Sequence, residues 1–396
     1  MKEKNIYSNV YKLNLYWFFH SLNFFYVIER LFSIERGLNI QEMVYLEIIY
    51  AFLILLLEVP TGIISDLWDR RKIMILSGFF TLLSIFVLTE AYSFFAFSLA
   101  IIFAAISTAL YSGTSNSILY DSLKTVNKQT FFEKNLGLSN ALSSISAGIG
   151  ALGGSFIALK YSYSATYYLS LITAIIAFII SFSFIEPKKT IQNDSKDKKF
   201  SFKEIILFFR KDLLLYFIII VAVVTSSCLT YIDEYWQIFF DQVKVPIYLF
   251  GIFSIIREFF ISLSSFLANK IKEMFSLKKI FFFNLLFSGI CLTISGLLAN
   301  KIGVIFIVLS FLSYGIIEVL TLGYIHHKIE SEFRATIESF FSLISRVLTI
   351  IIGLIFGFIT TNNSIFLGFI FLGIFMILSS FYGVLFLLKK TRNSNL

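Results

Sequence analysis

Apolar runs constrain this chain more than any other feature in it. Twelve of them cover residues 8–30, 43–65, 73–92, 95–120, 136–159, 163–185, 213–236, 248–269, 279–299, 302–326, 336–360 and 364–388. A helix rises about 1.5 Å per residue, so about 20 apolar residues cross the roughly 30 Å hydrocarbon core of a bilayer. Every run meets that length and reads as a membrane-spanning helix. Of the 396 residues 57% are hydrophobic and 15% charged, where a soluble domain has about 25% charged. The expected class is an all-α polytopic membrane protein. The first run is the least regular, because it carries Lys12, His20 and Asn23. Lysines precede it as in a secretory signal, but no small-residue cleavage site follows, so it reads as an uncleaved first helix.

Charge sorts the loops. The net charge of +8 would suggest nucleic acid in a soluble protein. Here the bases sit beside apolar runs, where topology and anionic lipid explain them, so the expected partner is the bilayer and not nucleic acid. With both termini on one side, segments on that side hold 26 of the 33 Lys and Arg residues and segments on the other hold five; Arg257 and Arg346 lie within runs. That asymmetry places both termini in the cytoplasm. Cys228 and Cys291 fall inside apolar runs and form neither a disulfide framework nor a metal spacing.

The longest polar stretch, Glu186 to Glu204, is rich in Lys, Asp, Asn and Ser and reads as a flexible linker. Residues 201–212 then alternate bases with Ile, Leu and Phe, a pattern suited to a helix lying on the membrane surface. The expected organisation is a six-helix bundle over 1–185, a cytoplasmic linker over 186–212, and a second six-helix bundle over 213–396.

Between the second and third runs lies Gly62-Ile63-Ile64-Ser65-Asp66-Leu67-Trp68-Asp69-Arg70-Arg71-Lys72, one short link holding two acids and three consecutive bases. Glycine allows close approach of helix ends. An acid there can meet a helix N-terminus or pair with arginine, and the bases hold the link in the cytoplasm. A plain topology signal would account for the bases alone. The pattern Gly-x-x-x-Asp-x-x-x-Arg-Arg-Lys resembles the loop between helices 2 and 3 of the major facilitator superfamily. Further stretches resemble a bacterial, multidrug-efflux-like branch of it: Glu35-Arg36-Gly37-Leu38, Leu57-Glu58-Val59-Pro60-Thr61-Gly62, Tyr120-Asp121-Ser122-Leu123, Asp233-Glu234-Tyr235-Trp236 and Arg334-Ala335-Thr336. The resemblance implies twelve helices in two bundles around a central cavity lined by spans 1, 4, 7 and 10. It also implies that Gly62, Asp66, Arg70, Arg71 and Lys72 form a gating motif, with Asp66 and Arg70 helping to hold one state closed. Two departures stand out: Asp69 replaces the usual glycine of the loop motif, and Ile149 and Gly150 replace the glycine and proline of the exporters' Gly-Pro-x-x-Gly-Gly signature, although Gly153 and Gly154 fit.

Polar side chains inside spans are costly in hydrocarbon and face a bundle interior or a cavity. Steps of three and four place Tyr16, His20 and Asn23 on one face of span 1. The same spacing aligns Ser112, Asn116 and Tyr120 in span 4, with Asp121 next to them. Span 7 carries Ser226, Thr230, Asp233, Glu234 and Gln237; span 10 carries Ser310, Tyr314, Glu318 and Thr321. Arg257 and Glu258 sit near the middle of span 8. Neighbours on a helix point about 100° apart, so each is expected to find a partner elsewhere rather than in the other. Arg346 in span 11 either pairs with Glu318 or Glu338 or meets an anionic substrate. Glu47 and Glu58 are weaker candidates, and Pro60 is expected to kink or loosen span 2. His20 is either a hydrogen-bonded packing residue or a proton carrier. Gly148 to Gly153 matches Gly-x-Gly-x-x-Gly, but no strand precedes it, and its useful reading is close helix packing.

No phosphate-binding loop, metal cluster or nucleophile-base set is present in the sequence, so neither an enzyme nor a cofactor is expected, and His326-His327 reads as incidental. The expected function is secondary active transport by alternating access, with a small-molecule substrate and protons as the coupling ion, in a bacterial plasma membrane. Asp233, Glu234, Glu258 or His20 would carry the protons. Efflux of a drug or metabolite ranks first, proton-coupled nutrient uptake second, and a non-transporting receptor or scaffold on the same fold third.

Overall fold

The computed structural model describes residues 2–187, 213–328 and 331–393, with side chains for all of these except 2–5, Val59, Ile63, Asp66, Leu67, 326–340 and 384–393. The linker expected over 186–204 lies outside the described residues from 188 onward, as does the surface helix expected over 201–212. The helices are α1 (Lys2–Ser21), α2 (Glu29–Glu35), α3 (Ile40–Leu67), α4 (Arg70–Thr89), α5 (Phe94–Thr125), α6 (Phe132–Lys160), α7 (Tyr163–Ser181), α8 (Leu213–Gln242), α9 (Tyr248–Met274), α10 (Leu277–Leu298), α11 (Gly303–Ser310), α12 (Leu312–Lys328), α13 (Ser331–Asn362) and α14 (Ile365–Asn393). Among the described residues, 11 helical stretches are long and apolar enough to cross a membrane. The first run, which is not among them, is helical in two pieces, α1 and α2. The fold is an all-α membrane protein of the twelve-helix, two-bundle kind. The chain divides into two compact units, Met1–Asn193 with Pro246–Ser254 and Asp194–Val245 with Ile255–Leu396.

Local sequence explains where helices start. Asn39 caps α3 in a reciprocal box with Glu42, and Ser93 and Ser162 cap α5 and α7 through Ala96 and Ala165; each such cap contributes about 1 kcal/mol. Gly37, at φ +93°, makes the turn between α2 and α3 in the left-handed region that favours glycine. Helix α3 continues past Pro60, and the Thr61 hydroxyl donates to the carbonyls of Leu57 and Glu58.

Three expectations need correction. The link after span 2 is much shorter than Gly62–Lys72: α3 runs to Leu67 and α4 starts at Arg70, so Gly62 and Asp66 are helical. A Cβ built on Gly62 meets nothing within 4 Å among the described residues, so no close helix approach demands a glycine there. Spans 1 and 10 were each expected to be one helix, and both are broken, at Leu22–Phe25 and at Phe311.

The break in span 1 is held by the helices around it. One end of unit 1, the basic end, is marked by Asn9, whose Nδ2 donates to Ser122 Oγ (2.9 Å) and the Ile185 carbonyl (2.7 Å). The opposite end is marked by Arg36, which donates to Ser164 Oγ (2.9 Å). The break lies between them, near mid-depth, where an unpaired backbone group in hydrocarbon costs several kcal/mol. Hydroxyls take up the freed groups. Phe24 N–H donates to Ser170 Oγ (2.8 Å), Thr173 Oγ1 donates to the Leu22 carbonyl (2.9 Å), and Ser146 Oγ donates to the Phe18 carbonyl. Glycines on α6 make room: a Cβ on Gly150 would sit 2.6 Å from the Asn23 carbonyl oxygen, and one on Gly154 would collide with the Phe24 carbonyl. Close packing, expected of this glycine run, is what it provides. Gly154→Ala is therefore expected to destabilise the fold by about 1–3 kcal/mol, the usual cost of overpacking. Gly137→Ala, where a Cβ meets nothing within 4 Å, should leave the elution profile and melting temperature of the purified protein unchanged.

Span 10 breaks in the same manner. The Ser310 carbonyl, freed at the gap between α11 and α12, accepts from Ser288 Oγ on α10 (3.0 Å), and Ser310 Oγ donates back to the Ile307 carbonyl.

Candidate functional site

At the basic end of unit 1 the link residues join three helices. Arg70, at the first turn of α4, donates to the carboxylate of Asp121 and to the Ser117 carbonyl (3.1 Å), both on α5. The side chains of this pair are 15% and 10% exposed, so little water screens the charges. Arg71 donates from its guanidinium to the Phe182 carbonyl (2.7 Å), and its backbone N–H donates to Glu186 Oε2 (2.9 Å). Lys72 pairs with Asp69 at 3.1 Å, largely in solvent, where such a pair contributes about 0–1 kcal/mol. Asp121, read from sequence as a cavity residue, is thus engaged by the gating motif's own arginine. The side chain of Asp66 lies outside those described.

In unit 2 the charges of spans 7 and 8 converge. Arg257 on α9 donates to Asp233 on α8 and to Glu258 Oε1 (2.6 Å). The pairing with Glu258 corrects the expectation that these neighbours point apart; the long guanidinium fork folds back to reach it while also reaching across to α8. Phe311, at the break in span 10, lies 5.8 Å from the guanidinium carbon, within cation–π range. Exposure rises outward, from 10% for Arg257 through 33% for Asp233 to 61% for Glu258. The cation is held dry while the acids remain reachable by water. Ser226 and Thr230 of the same stripe bond to carbonyls of their own helix, and Gln237 is buried. Span 7 is also anchored to α13, because the Tyr231 hydroxyl donates to the Thr349 carbonyl (3.0 Å) and Thr349 Oγ1 donates to Ser227 Oγ (2.9 Å).

The remaining candidates are scattered. His20 stacks on Tyr16 and lies tilted against Tyr111, with ring centroids 5.4 and 4.8 Å away. Asn23 lies past the end of α1 and donates to the His20 carbonyl (3.3 Å). Ser112, Asn116 and Tyr120 share an exposed face of α5, as their spacing requires. Glu318 is exposed, Arg346 is half-buried, and neither makes an ion pair among the described residues. Glu338, the other partner considered for Arg346, lies outside the described side chains, as do His326 and His327. Among the described residues no group of three His, Cys, Asp or Glu could hold a metal.

Arg30 and Arg36, two of the five bases counted on the side poor in them, are engaged by other side chains. Arg30 is buried and pairs with Glu47 on α3 at 3.0 Å, beside Glu29. Arg36 lies over the rings of Tyr92 (3.8 Å) and Phe32 (4.8 Å). The signal available was Glu47, an acid well inside a span that needs a cation nearby.

Two bundles of membrane-crossing helices, with charges paired across helices inside them, define a multi-pass membrane protein. The sequence model of the Major Facilitator Superfamily matches residues 15–353, and the chain belongs to that family. It is 23% identical over 141 residues to an uncharacterized MFS-type transporter of Methanocaldococcus jannaschii, a match spanning 36% of this chain and 35% of that relative. Its fold is similar to the nucleoside transporter NupG (TM-score 0.73, 12% identity, 98% of this chain and 99% of that one). It is also similar to a bacterial homolog of the human lysosomal transporter Spinster in an inward-facing, unoccupied conformation (TM-score 0.72, 13% identity, 97% and 96%).

Proposed function

We propose that the chain is a secondary active transporter that exports a small molecule, a drug or a metabolite, in exchange for protons by alternating access. The halves 1–185 and 213–396 serve as the two bundles, and both termini lie in the cytoplasm of a bacterial cell. The observation that supports this reading best is the Asp233–Arg257–Glu258 cluster. A charge at this depth is costly unless paired, and removing one partner of a buried pair typically costs about 3–5 kcal/mol. Protonation of Asp233 would cancel its attraction for Arg257 and free a cation between two helices. That step gives the proton a differential effect on two conformations, which coupling requires. Such a cluster disfavours a receptor or scaffold, which has little use for it. At the basic end, Arg70 and Asp121 tie α4 to α5 in the conformation seen here, consistent with a gate that holds one state.

Direction is tested by comparing cells with and without the gene against a panel of toxic lipophilic compounds. Export predicts higher tolerance and lower accumulation of at least one compound; higher accumulation would reverse the direction in favour of uptake. Orientation is tested with Asn193→Cys and Ser394→Cys. Background labelling is low because Cys228 and Cys291 are buried. Labelling is expected only after the membrane is opened, and labelling of intact cells at either position would overturn the topology.

A further inference from the structure

The turn between α9 and α10 in unit 2 occupies the place that the Arg70 network holds in unit 1, but its bases are used differently. In unit 1 each base is engaged, Arg70 by Asp121, Arg71 by the Phe182 carbonyl and Lys72 by Asp69. In unit 2 Lys270, Lys272, Lys278 and Lys279 are all exposed, and none makes an ion pair among the described residues. The nearby acid Glu273 accepts from Asn269 instead. Four cations remain available at one membrane surface.

Below them opens a cavity of about 750 Å³ between α9, α10 and α12. Its wall is apolar: Leu267 and Ile271 on α9, Phe283 and Phe287 on α10, Leu312 and Ile316 on α12. Lys279 lines its mouth, and Phe287 lies eight residues further along α10. Eight residues of helix span about 12 Å, close to the roughly 15 Å depth of one leaflet. The α10–α12 side is closed by Ser313 Oγ donating to the Asn284 carbonyl (3.3 Å). Phe275, Phe283 and Phe287 are exposed, so the groove is open to the surrounding lipid.

We propose that this groove is a binding site for one anionic phospholipid, with an acyl chain in the apolar cavity and the phosphate on the lysines of the α9–α10 turn. Depth, apolarity and a cationic rim on one side match that amphiphile and no small polar ligand. Anionic headgroups are attracted to such basic clusters at the membrane surface. The leaflet is the cytoplasmic one on the orientation proposed above; binding in detergent depends neither on that orientation nor on transport, so failure of either reading is distinguishable from failure of this one.

The test is native mass spectrometry of the delipidated full-length chain, titrated with phosphatidylglycerol or with phosphatidylcholine of the same acyl chains. One equivalent of phosphatidylglycerol is expected to bind about tenfold or more tightly than phosphatidylcholine. The double variant Lys278→Gln/Lys279→Gln should lose that preference. Phe287→Trp, an enlarged aromatic at the exposed deep end of the groove, should weaken binding at an unchanged melting temperature. Equal affinity for the two lipids overturns the proposal. So does loss confined to the lysine variant, which would mean general surface charge, and so does loss confined to Phe287→Trp, which would mean a neutral hydrophobic groove.

Discussion

Asp233→Asn is expected to abolish substrate movement driven by a proton gradient while leaving substrate exchange across the membrane intact. Exchange needs only the binding site and the change of access. Net coupled transport also needs a group that takes up a proton in one state and releases it in the other. Asp233 meets the geometric requirement: it is one-third exposed, so water reaches it, and it is bonded to an arginine that water scarcely reaches. Asparagine keeps the shape but leaves Arg257 with Glu258 as its acidic partner. Arg257→Ala should also lower stability, because it leaves Asp233 without its cation, though by less than the loss of about 3–5 kcal/mol typical of a fully buried pair, since Asp233 is one-third exposed. The double variant Asp233→Ala/Arg257→Ala should recover part of that loss, and the pairing energy is read as the departure from additivity in a double-mutant cycle. Strictly additive losses would mean that the two residues are not coupled. Wild-type proton-driven rates in Asp233→Asn would move the coupling role to Glu258, Glu234 or His20.

The second large effect is expected at the other unit. Asp121→Asn should slow transport in both directions without uncoupling it from protons, and should lower stability by about 1.5–3 kcal/mol, the usual worth of a hydrogen bond to a charged group. Arg70→Gln should do the same, and combining the two should cost little more than either, because each already breaks the same ion pair between α4 and α5. A contact made in one conformation and broken in the other sets the rate of exchange between them. Exchange and coupled transport should therefore fall together, unlike the split expected for Asp233→Asn. Unchanged rates with a lowered melting temperature would reduce the Arg70–Asp121 pair to a structural tie.

Most of the architecture was legible because membrane spans announce themselves by length. A run of 20 apolar residues needs no tertiary context to be recognised, and among the described residues eleven of the twelve runs fall on helical stretches long and apolar enough to cross a membrane. The breaks in spans 1 and 10 were not legible, because neither contains proline or glycine at the gap. What holds the first is remote: Ser170 and Thr173 on α7 and the glycines of α6. A run of glycines with hydroxyls on the neighbouring span marks close approach, but not which backbone approaches. The charges of the unit 2 cluster were visible as polar intrusions in apolar runs, and Arg70 and Asp121 as charges just outside them. Their partners were not, since Arg70 and Asp121 stand 51 residues apart and Arg257 and Asp233 stand 24 apart. Helical spacing relates residues on one helix and is silent on pairs between helices. The burial of Arg30 was not legible for a related reason: a charge near a span end reads as solvent-facing unless the acid opposite it, here Glu47, is known.

Proton movement driven by substrate decides most directly whether the Asp233–Arg257 pair couples transport. The purified protein is reconstituted into proteoliposomes that hold a trapped pH-sensitive dye, and a compound selected in the tolerance screen is applied as an outward or inward gradient. Wild-type protein is expected to move protons against the direction of the compound, and Asp233→Asn is expected to move the compound down its gradient with no dye response. A compound translocated by the wild-type protein with no proton movement, or an undiminished dye response in Asp233→Asn, would contradict it.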